Sequence, residues 1–258
     1  MTQPESALSE PTNRPPSAPE VVQTADGSPT LYLPALNEHY HSVHGARQES
    51  AHVFIRHGLL PLLLAGRGTQ PLESLRILEI GLGTGLNALL TLEACQLAGV
   101  SAAYAAFETV PLPPSVVEAL ALTTYLPDDG RVPPDSGAVF RALHAAPWDA
   151  EFPLAPTFSL TKWLRALEAV PAGTAPLVAA TYHLIYFDAF APQKQPELWT
   201  EAIFRTLYDA TAPGGVLVTY CAQGQFRRDL RAAGWRVEKL PGPPGKREMT
   251  RAVKDAPA

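Results

Sequence analysis

The chain has 258 residues, 46% of them hydrophobic, and its 25 acidic against 20 basic residues give a formal net charge of −5. This composition indicates one globular α/β domain with additions. It gives no global basic signature for nucleic acid, although a local basic patch suffices for RNA. Two cysteines in apolar contexts, no signal-peptide pattern and no membrane-spanning apolar run predict a cytoplasmic protein with free thiols that does not associate with membranes.

The first part of the chain predicts a tail and an extension. Residues 1–20 are rich in Pro, Ser, Thr and Glu, which predicts a disordered tail. Val21–Leu33 predicts a β-hairpin around a central turn. A polar segment, Asn37 to Ser50, holds three of the seven histidines and leads into a helix predicted over Ala46–His57. Residues 21–70 are therefore interpreted as a hairpin-and-helix extension.

Strands and helices then alternate over residues 71–254, which we assign to the main domain. The predicted elements are strand Arg76–Ile80, helix Gly85–Ala98, strand Ala102–Glu108, helix Pro114–Leu122, helix Ala138–Ala145 within an otherwise irregular segment from Tyr125 to Pro156, strand Thr157–Thr161, helix Lys162–Ala169, strand Tyr182–Asp188, helix Thr200–Asp209, strand Val216–Cys221, helix Gln225–Ala233, and an antiparallel pair, Trp235–Leu240 with Glu248–Val253. This order predicts an α/β, Rossmann-like fold: a mostly parallel seven-stranded sheet with an antiparallel last strand.

The strand at Arg76–Ile80 runs into a glycine-rich turn. Glu79 precedes glycines at alternate positions, Gly81, Gly83 and Gly85, and a helical pattern follows. The dinucleotide fingerprint needs wider spacing before its third glycine. The E-x-G-x-G-x-G form resembles motif I of the S-adenosyl-L-methionine (SAM) methyltransferases, where small residues admit the cofactor and the carboxylate can pair with its ammonium group. SAM is therefore the expected cofactor, and a glycine turn without a ligand is the alternative.

Two further acids end predicted strands. Glu108 ends the second strand, where an acid accepts hydrogen bonds from ribose hydroxyls; a solvated strand-end acid is the alternative. Asp188 ends the fourth strand beside the expected methyl group, with Phe190 two residues on. Methyl transfer to nitrogen is an in-line displacement, in which an acceptor oxygen orients the N–H groups and an aromatic face tolerates the developing charge. The alternative is that Asp188 only caps a turn.

Histidines and basic residues invite two further interpretations. The histidines at positions 39, 41 and 44 lack the spacing of a structural zinc site, so we expect no metal. Basic residues accumulate in the C-terminal third of an acidic protein, which predicts a phosphate-bearing substrate; a solvated basic face is the alternative.

Four stretches together resemble one family. They run from Asn37 to Ser50, Glu79 to Asn87, Phe187 to Trp199 and Gly245 to Met249. They are similar to the methyltransferase of the MnmC/MnmD group. The resemblance implies SAM-dependent methylation of the amino group of 5-aminomethyl-2-thiouridine at the tRNA wobble position, giving 5-methylaminomethyl-2-thiouridine. It also implies a tRNA anticodon stem-loop as partner and, since the sequence stops at Ala258, a stand-alone type with a separate enzyme supplying the aminomethyl precursor.

The resemblance also implies residue roles. The cofactor residues are Glu79, Gly81, Gly83, Gly85, Asn87, Glu108 and Asp188. The methyl-transfer residues are Asp188 and Phe190, and the substrate contacts are Tyr40, His41, His44, Lys246, Arg247 and Glu248. Relatives place an acid that contacts the adenine shortly after the third strand. None stands at that place here, and Glu168, the nearest acid, lies too far along, so either a backbone carbonyl contacts the adenine or the predicted register of this segment is wrong.

Three alternatives stay open. Bulk acidity favours a methyltransferase for a small amine or hydroxyl substrate. An aminopropyltransferase shares the glycine motif and the strand-four acid, but its signature is richer in aspartate than Tyr186 to Phe190. A non-catalytic SAM or RNA binder is the third. The oligomeric state, the preferred tRNAs and dependence on the 2-thio group are not indicated by any pattern.

Overall fold

The computed structural model describes residues 18–65, 74–120 and 136–256. The predicted tail lies outside these residues except for positions 18–20, and Glu20 already begins a strand. Strands β1 (Glu20–Gln23), β2 (Pro29–Leu33) and β3 (Glu38–His39) form a small antiparallel sheet in that order. The predicted hairpin is therefore confirmed, with one short strand added.

The helix after this sheet is longer than predicted. It comprises α1 (Ala46–Ser50), a π-helical stretch (Ala51–Leu59) and α2 (Leu60–Ala65). Leu59 and Leu63, both buried, extend its apolar face beyond the predicted end at His57. Phe54 packs against Tyr186 of the main sheet with ring centroids 5.0 Å apart, so the extension and the main sheet share one core.

The main sheet has eight strands. They are β4 (Ser74–Ile80), β5 (Ser101–Glu108), β6 (Glu151–Ala155), β7 (Phe158–Leu164), β8 (Tyr182–Phe187), β9 (Thr211–Thr219), β10 (Arg236–Pro241) and β11 (Glu248–Val253), in the order β10-β11-β9-β8-β4-β5-β7-β6. The five central strands are parallel, and β11, β10 and β6 are antiparallel to their neighbours. The predicted fold class is confirmed. The eighth strand, β6, falls in the segment predicted to be irregular, and its Pro153 is compatible with an edge position.

Helices cover both faces of this sheet. They are α3 (Leu86–Ala98), α4 (Pro114–Leu120), α5 (Ser136–Ala145), α6 (Glu201–Ala210) and α7 (Gly224–Ala232), with short 3₁₀ turns at Leu167–Ala169 and Pro196–Leu198. The end of the predicted helix Pro114–Leu122 lies outside the described residues. Successive strand residues such as Ile77 and Leu78 point to opposite faces of the sheet, where they join two separate apolar clusters.

The helix predicted over Lys162–Ala169 was wrong in its first part. β7 continues to Leu164, because Phe158, Leu160 and Lys162 alternate inwards as strand residues do. Lys162 is buried, and its Nζ donates to the His144 carbonyl oxygen at 2.7 Å and lies 4.5 Å from the Trp148 ring centroid. These contacts stabilise the Lys162 ammonium group at a strand position where the alternation of buried residues predicts an apolar side chain.

In the part of the chain that the structure describes, the helices are too short or too polar to cross a bilayer. Cys95 and Cys221 are buried and unbridged, in agreement with the expected free thiols.

Candidate active site

A cavity of about 620 Å³ opens at the carboxyl ends of β4, β5 and β8. The chain runs from β4 to β5 on one side and returns to β8 on the other, so this is the switch point where open α/β sheets bind ligands. Its volume suits a nucleoside-sized ligand. Eight predicted site residues line it: Tyr40, His41, Gly81, Gly83, Glu108, Asp188, Phe190 and Lys246.

The glycine turn is pressed between two neighbours. Gly81 has φ +91°, and a Cβ there would lie 2.8 Å from the Asp188 carbonyl oxygen. A Cβ at Gly83 would lie 2.8 Å from Cδ1 of Tyr40. The turn therefore has no room for a side chain at either position, and its backbone forms the floor of the cavity.

Glu79, Asn87 and Asp188 form one hydrogen-bonded cluster. Asn87 Nδ2 donates to Glu79 Oε1 and to Asp188 Oδ2, both at 2.8 Å, and Asn87 Oδ1 accepts from Ser50 Oγ of the extension. Glu79 and Asn87 lie behind the cavity wall, whereas Asp188 lines it. The structure thus brings the predicted residues together, but only one of the three faces the cavity.

Burial raises the pKa of both carboxyl groups of this cluster. Glu79 is fully buried, its Oε2 has no hydrogen-bond partner, and burial, reinforced by Asp188, raises the pKa of Glu79 well above its usual value. Burial raises the pKa of Asp188 to about 7; Glu49 adds to this rise, while the Asn87 hydrogen bond and Lys246 oppose it. Asp188 therefore changes its charge near neutral pH, and burial also favours the protonated form of Glu79.

One end of the cavity is shaped by Glu108. Its Oε2 accepts from the Gly83 amide at 3.0 Å, and its Oε1 accepts from the Thr109 and Val110 amides at 2.7 and 2.9 Å. These bonds fix the carboxylate beside the glycine turn. Glu168 lines the same cavity. Because β7 runs on to Leu164, Glu168 lies in the 3₁₀ turn just after the strand end, nearer to the cavity than the sequence led us to expect.

The other end is aromatic. Tyr40 meets Phe190 edge-on, with ring centroids 5.2 Å apart. The Phe190 backbone is fixed on both sides, because its amide donates to Gln195 Oε1 and its carbonyl accepts from Trp199 Nε1, each at 2.8 Å. Trp199 is one of the residues that carried the family resemblance, and the sequence analysis assigned no role to Gln195 or Trp199.

Glu49 is a cavity residue that the sequence analysis missed. It is 6% exposed, and its Oε1 accepts from Lys246 Nζ at 2.5 Å. Glu49 belongs to the extension and Lys246 to the loop between β10 and β11. This ion pair therefore joins two distant parts of the chain at the cavity. An acid in the first turn of a helix that follows a polar segment was the available signal.

Of the other predicted substrate contacts, His41 lines the main cavity, whereas His44, Arg247 and Glu248 lie apart from it. Arg247 and Glu248 line a second, more open cavity of about 510 Å³, which shares Lys246 with the first. His44 is exposed and packs against Gly245. His41 is buried against Thr30, with Nδ1 3.1 Å from Thr30 Oγ1, and burial lowers the pKa of His41 to about 4, so it is neutral at pH 7.

The basic C-terminal third consists largely of paired side chains. Arg227 is 4% exposed and donates to Glu248, Thr250 and the Met249 carbonyl. Arg236 and Arg251 pair with Glu238, and Lys254 donates to two backbone carbonyls. These pairs account for part of the charge asymmetry in the sequence, whereas Arg228, Arg231, Lys239 and Arg247 are exposed, Arg247 at the second cavity.

Comparison with known proteins agrees with this geometry. Residues 163–255 match the family described as S-adenosyl-L-methionine-dependent methyltransferase. The chain is 31% identical over 238 residues to the tRNA 5-methylaminomethyl-2-thiouridine biosynthesis bifunctional protein MnmC of Cupriavidus metallidurans, covering 90% of this chain and 33% of the relative. The chain thus spans about a third of the length of the curated relatives it matches.

Solved structures give the same result for the fold. The crystal structure of MNMC2 from Aquifex aeolicus superposes with a TM-score of 0.71 at 25% identity, covering 95% of this chain and 73% of that one. Spermidine synthase from Thermotoga maritima reaches a TM-score of 0.52 at 15% identity, over 92% of this chain and 73% of that one, and shares the fold alone. Residues 163–255 therefore match the SAM-dependent methyltransferase family, and the chain is similar over most of its length to one part of the MnmC proteins.

Proposed function

We propose that the chain methylates the amino group of 5-aminomethyl-2-thiouridine at the wobble position of tRNA. The observation that supports this most directly is Asp188, a carboxyl group at the cavity wall beside the Phe190 ring, in a chain similar to MnmC over 90% of its length. An amine acceptor needs an oxygen that orients its N–H groups and takes its proton, and Asp188 supplies that oxygen.

The residues present fit SAM. The turn at Gly81 and Gly83 lines the cavity with backbone and no side chain, and the Glu108 carboxylate is fixed beside it. We assign Glu108 to the ribose hydroxyls and Glu168 to the adenine amino group. When bound, SAM supplies an electrophilic methyl group on its sulfonium. Glu79 is enclosed, so we assign it, with Asn87, to holding Asp188 in place rather than to direct contact.

Asp188 performs the proton chemistry in this proposal. Its carboxylate accepts an N–H of the acceptor amine, which directs the nitrogen lone pair towards the cavity, and it takes the proton that the nitrogen loses. Phe190 and Tyr40 present ring faces and edges that tolerate the positive charge developing on nitrogen.

Glu108→Ala should weaken SAM binding. The change removes a carboxylate that binds three backbone amides and, as proposed, the ribose; hydrogen bonds to charged groups contribute about 1.5–3 kcal/mol, or roughly tenfold or more in Kd. Calorimetric titration with SAM measures the effect. Glu151→Ala, on the exposed edge strand, is the matched control. An unchanged Kd for the Glu108 variant would remove Glu108 from the cofactor site.

Arg247→Glu should weaken tRNA binding and leave SAM binding intact. Arg247 is exposed at the second cavity, and losing a phosphate contact lowers the slope of log Kd against log salt by about 1. Filter binding with anticodon stem-loop RNA at several salt concentrations measures both quantities. Arg56→Glu carries the same charge change on an exposed residue that lines neither cavity. Equal effects of the two variants would mean that only net charge matters.

The direct test of function is mass spectrometry of wobble nucleosides. Hypomodified tRNA bearing the aminomethyl group is incubated with protein and SAM, and the proposal predicts 5-methylaminomethyl-2-thiouridine. Methylation of small amines but not of tRNA would favour the small-substrate alternative. We further propose that the activity is cytoplasmic, that another activity supplies the aminomethyl precursor, and that residues 21–70 and 71–254 are extension and catalytic domain.

A further inference from the structure

The Glu49–Lys246 ion pair has no role in the chemistry described so far. Both oxygens of the Glu49 carboxylate are engaged: Oε1 accepts from Lys246 Nζ at 2.5 Å, and Oε2 accepts from the Ser42 amide at 2.7 Å. Glu49 is 6% exposed. An acid that is enclosed and bonded on both oxygens is held in one position, and it holds the lysine with it.

Lys246 is held on a second side by an aromatic ring. Its Nζ lies 4.1 Å from the Tyr220 ring centroid, within cation–π distance. Tyr220 is itself anchored, because its hydroxyl donates to the carbonyl oxygen of Ala189, the residue after Asp188, at 2.8 Å. The ammonium group is thus fixed at the Asp188 end of the cavity, at the boundary with the second cavity.

Several titratable groups influence Asp188 from the elements around it. They are Glu79 on β4, Tyr104 on β5, Glu49 on α1, Tyr220 after β9 and Lys246 in the β10–β11 loop. Among these described residues, Lys246 is the one cation. It stands against Glu49, whose charge acts on Asp188 in the opposite direction. The balance between the two therefore bears on the charge of Asp188.

We propose that Glu49 and Lys246 form a positioning pair for Asp188: Lys246 offsets the negative charge around the Asp188 carboxyl, and Glu49 keeps the ammonium from bonding to Asp188 itself. The carboxylate then stays available to the incoming amine. The expected effect on catalysis rests on the proposed function, whereas the effect of the pair on the titration of Asp188 does not depend on the substrate.

Opposite charge changes in the pair should move the titration of Asp188 in opposite directions. Glu49→Gln removes a negative charge and releases Lys246 towards Asp188, so the midpoint falls by about 1 pH unit. Lys246→Met leaves Glu49 uncompensated, so the midpoint rises by a similar amount, about 1 pH unit. The double variant removes both charges and should return close to the unmodified protein. Lys246→Arg, which keeps the charge, should leave the midpoint nearly unchanged.

The experiment is an NMR titration of the full chain without SAM. The protein is labelled with ¹³C at aspartate carboxyl groups, and the Asp188 signal is assigned by its loss in Asp188→Asn. Opposed shifts that cancel in the double variant support the proposal. Midpoints that stay fixed, or that move in the same direction, overturn it. If Lys246→Met does not fold, the nearly isosteric Glu49→Gln decides alone: a midpoint that stays or rises overturns the pair.

Activity separates this inference from the proposed function. With aminomethyl-bearing tRNA, the acidic limb of kcat/KM against pH should move with the NMR midpoint in each variant. Opposed NMR shifts without any tRNA methylation would uphold the pair and refute the proposed substrate. Methylation of tRNA without opposed NMR shifts would uphold the proposed substrate and refute the positioning pair.

Discussion

Asp188→Asn is expected to reduce methyl transfer to tRNA by about 10²- to 10⁴-fold, the range typical of losing a general base. The asparagine keeps the shape of the side chain and one acceptor oxygen but can no longer take a proton from the amine. Its neighbours Asn87 and Lys246 remain, so SAM binding should change by only a few-fold. Single-turnover methylation measured alongside calorimetric SAM binding separates the two effects.

The same proton transfer predicts the direction in which the activity of the unmodified enzyme changes with pH. Burial raises the pKa of Asp188 to about 7, so the carboxylate that accepts the proton is present above that pH and is lost as the pH falls through it. Activity should therefore decline below about pH 7. Asp209→Asn, on the exposed end of α6, is the control and should change neither the rate of methyl transfer nor its pH dependence.

Full activity of Asp188→Asn would exclude Asp188 as the proton acceptor.

Gly81→Ala is expected to abolish detectable SAM binding and to destabilise the fold. Gly81 has φ +91°, which costs an alanine about 1–2 kcal/mol, and the new Cβ would lie 2.8 Å from the Asp188 carbonyl oxygen. Backbone must therefore move at the floor of the cavity. Thermal unfolding and SAM titration measure the two losses.

Gly99→Ala separates conformational strain from the close contact. Gly99 also has a positive φ, +69°, but a Cβ there would meet nothing within 4 Å. This control should lose about 1 kcal/mol of stability and bind SAM normally. Equal losses in the two variants would show that left-handed backbone alone, and not the approach of β8 to the turn, explains the glycine at position 81.

The parallel core and the cofactor turn could be predicted from sequence because their signals are local. Ile77 to Ile80 and Tyr182 to Phe187 are apolar runs of strand length, and the glycines after Glu79 mark a tight turn. A carboxyl group that follows such a strand comes to the ligand-binding edge of a parallel sheet, which is why Glu108 and Asp188 could be named. Strand β6 and the end of strand β7 were not predicted because their local signals are weak. β6 contains a proline, and β7 contains a buried lysine.

The basic C-terminal third shows where composition misleads. Counting charges cannot tell that Arg227 is enclosed between Glu248, Thr250 and Met249, or that Arg236 and Arg251 share Glu238. These pairings form between β10, β11 and α7 once the chain has folded. Charge counting therefore does not separate the enclosed Arg227 from exposed side chains such as Arg228 and Arg247, of which Arg247 lines the second cavity.

The sequence by itself determined the fold class and predicted the cofactor turn and Asp188, because each depends on residues that are neighbours along the chain or at the end of one strand. Only the tertiary structure decided which of them face the cavity. It encloses Glu79 and Asn87 behind the wall, brings Glu168 to the cavity, and pairs Glu49 with a lysine 197 positions away. Burial and long-range pairing arise from the packing of segments that are distant along the chain, and local sequence patterns do not predict that packing.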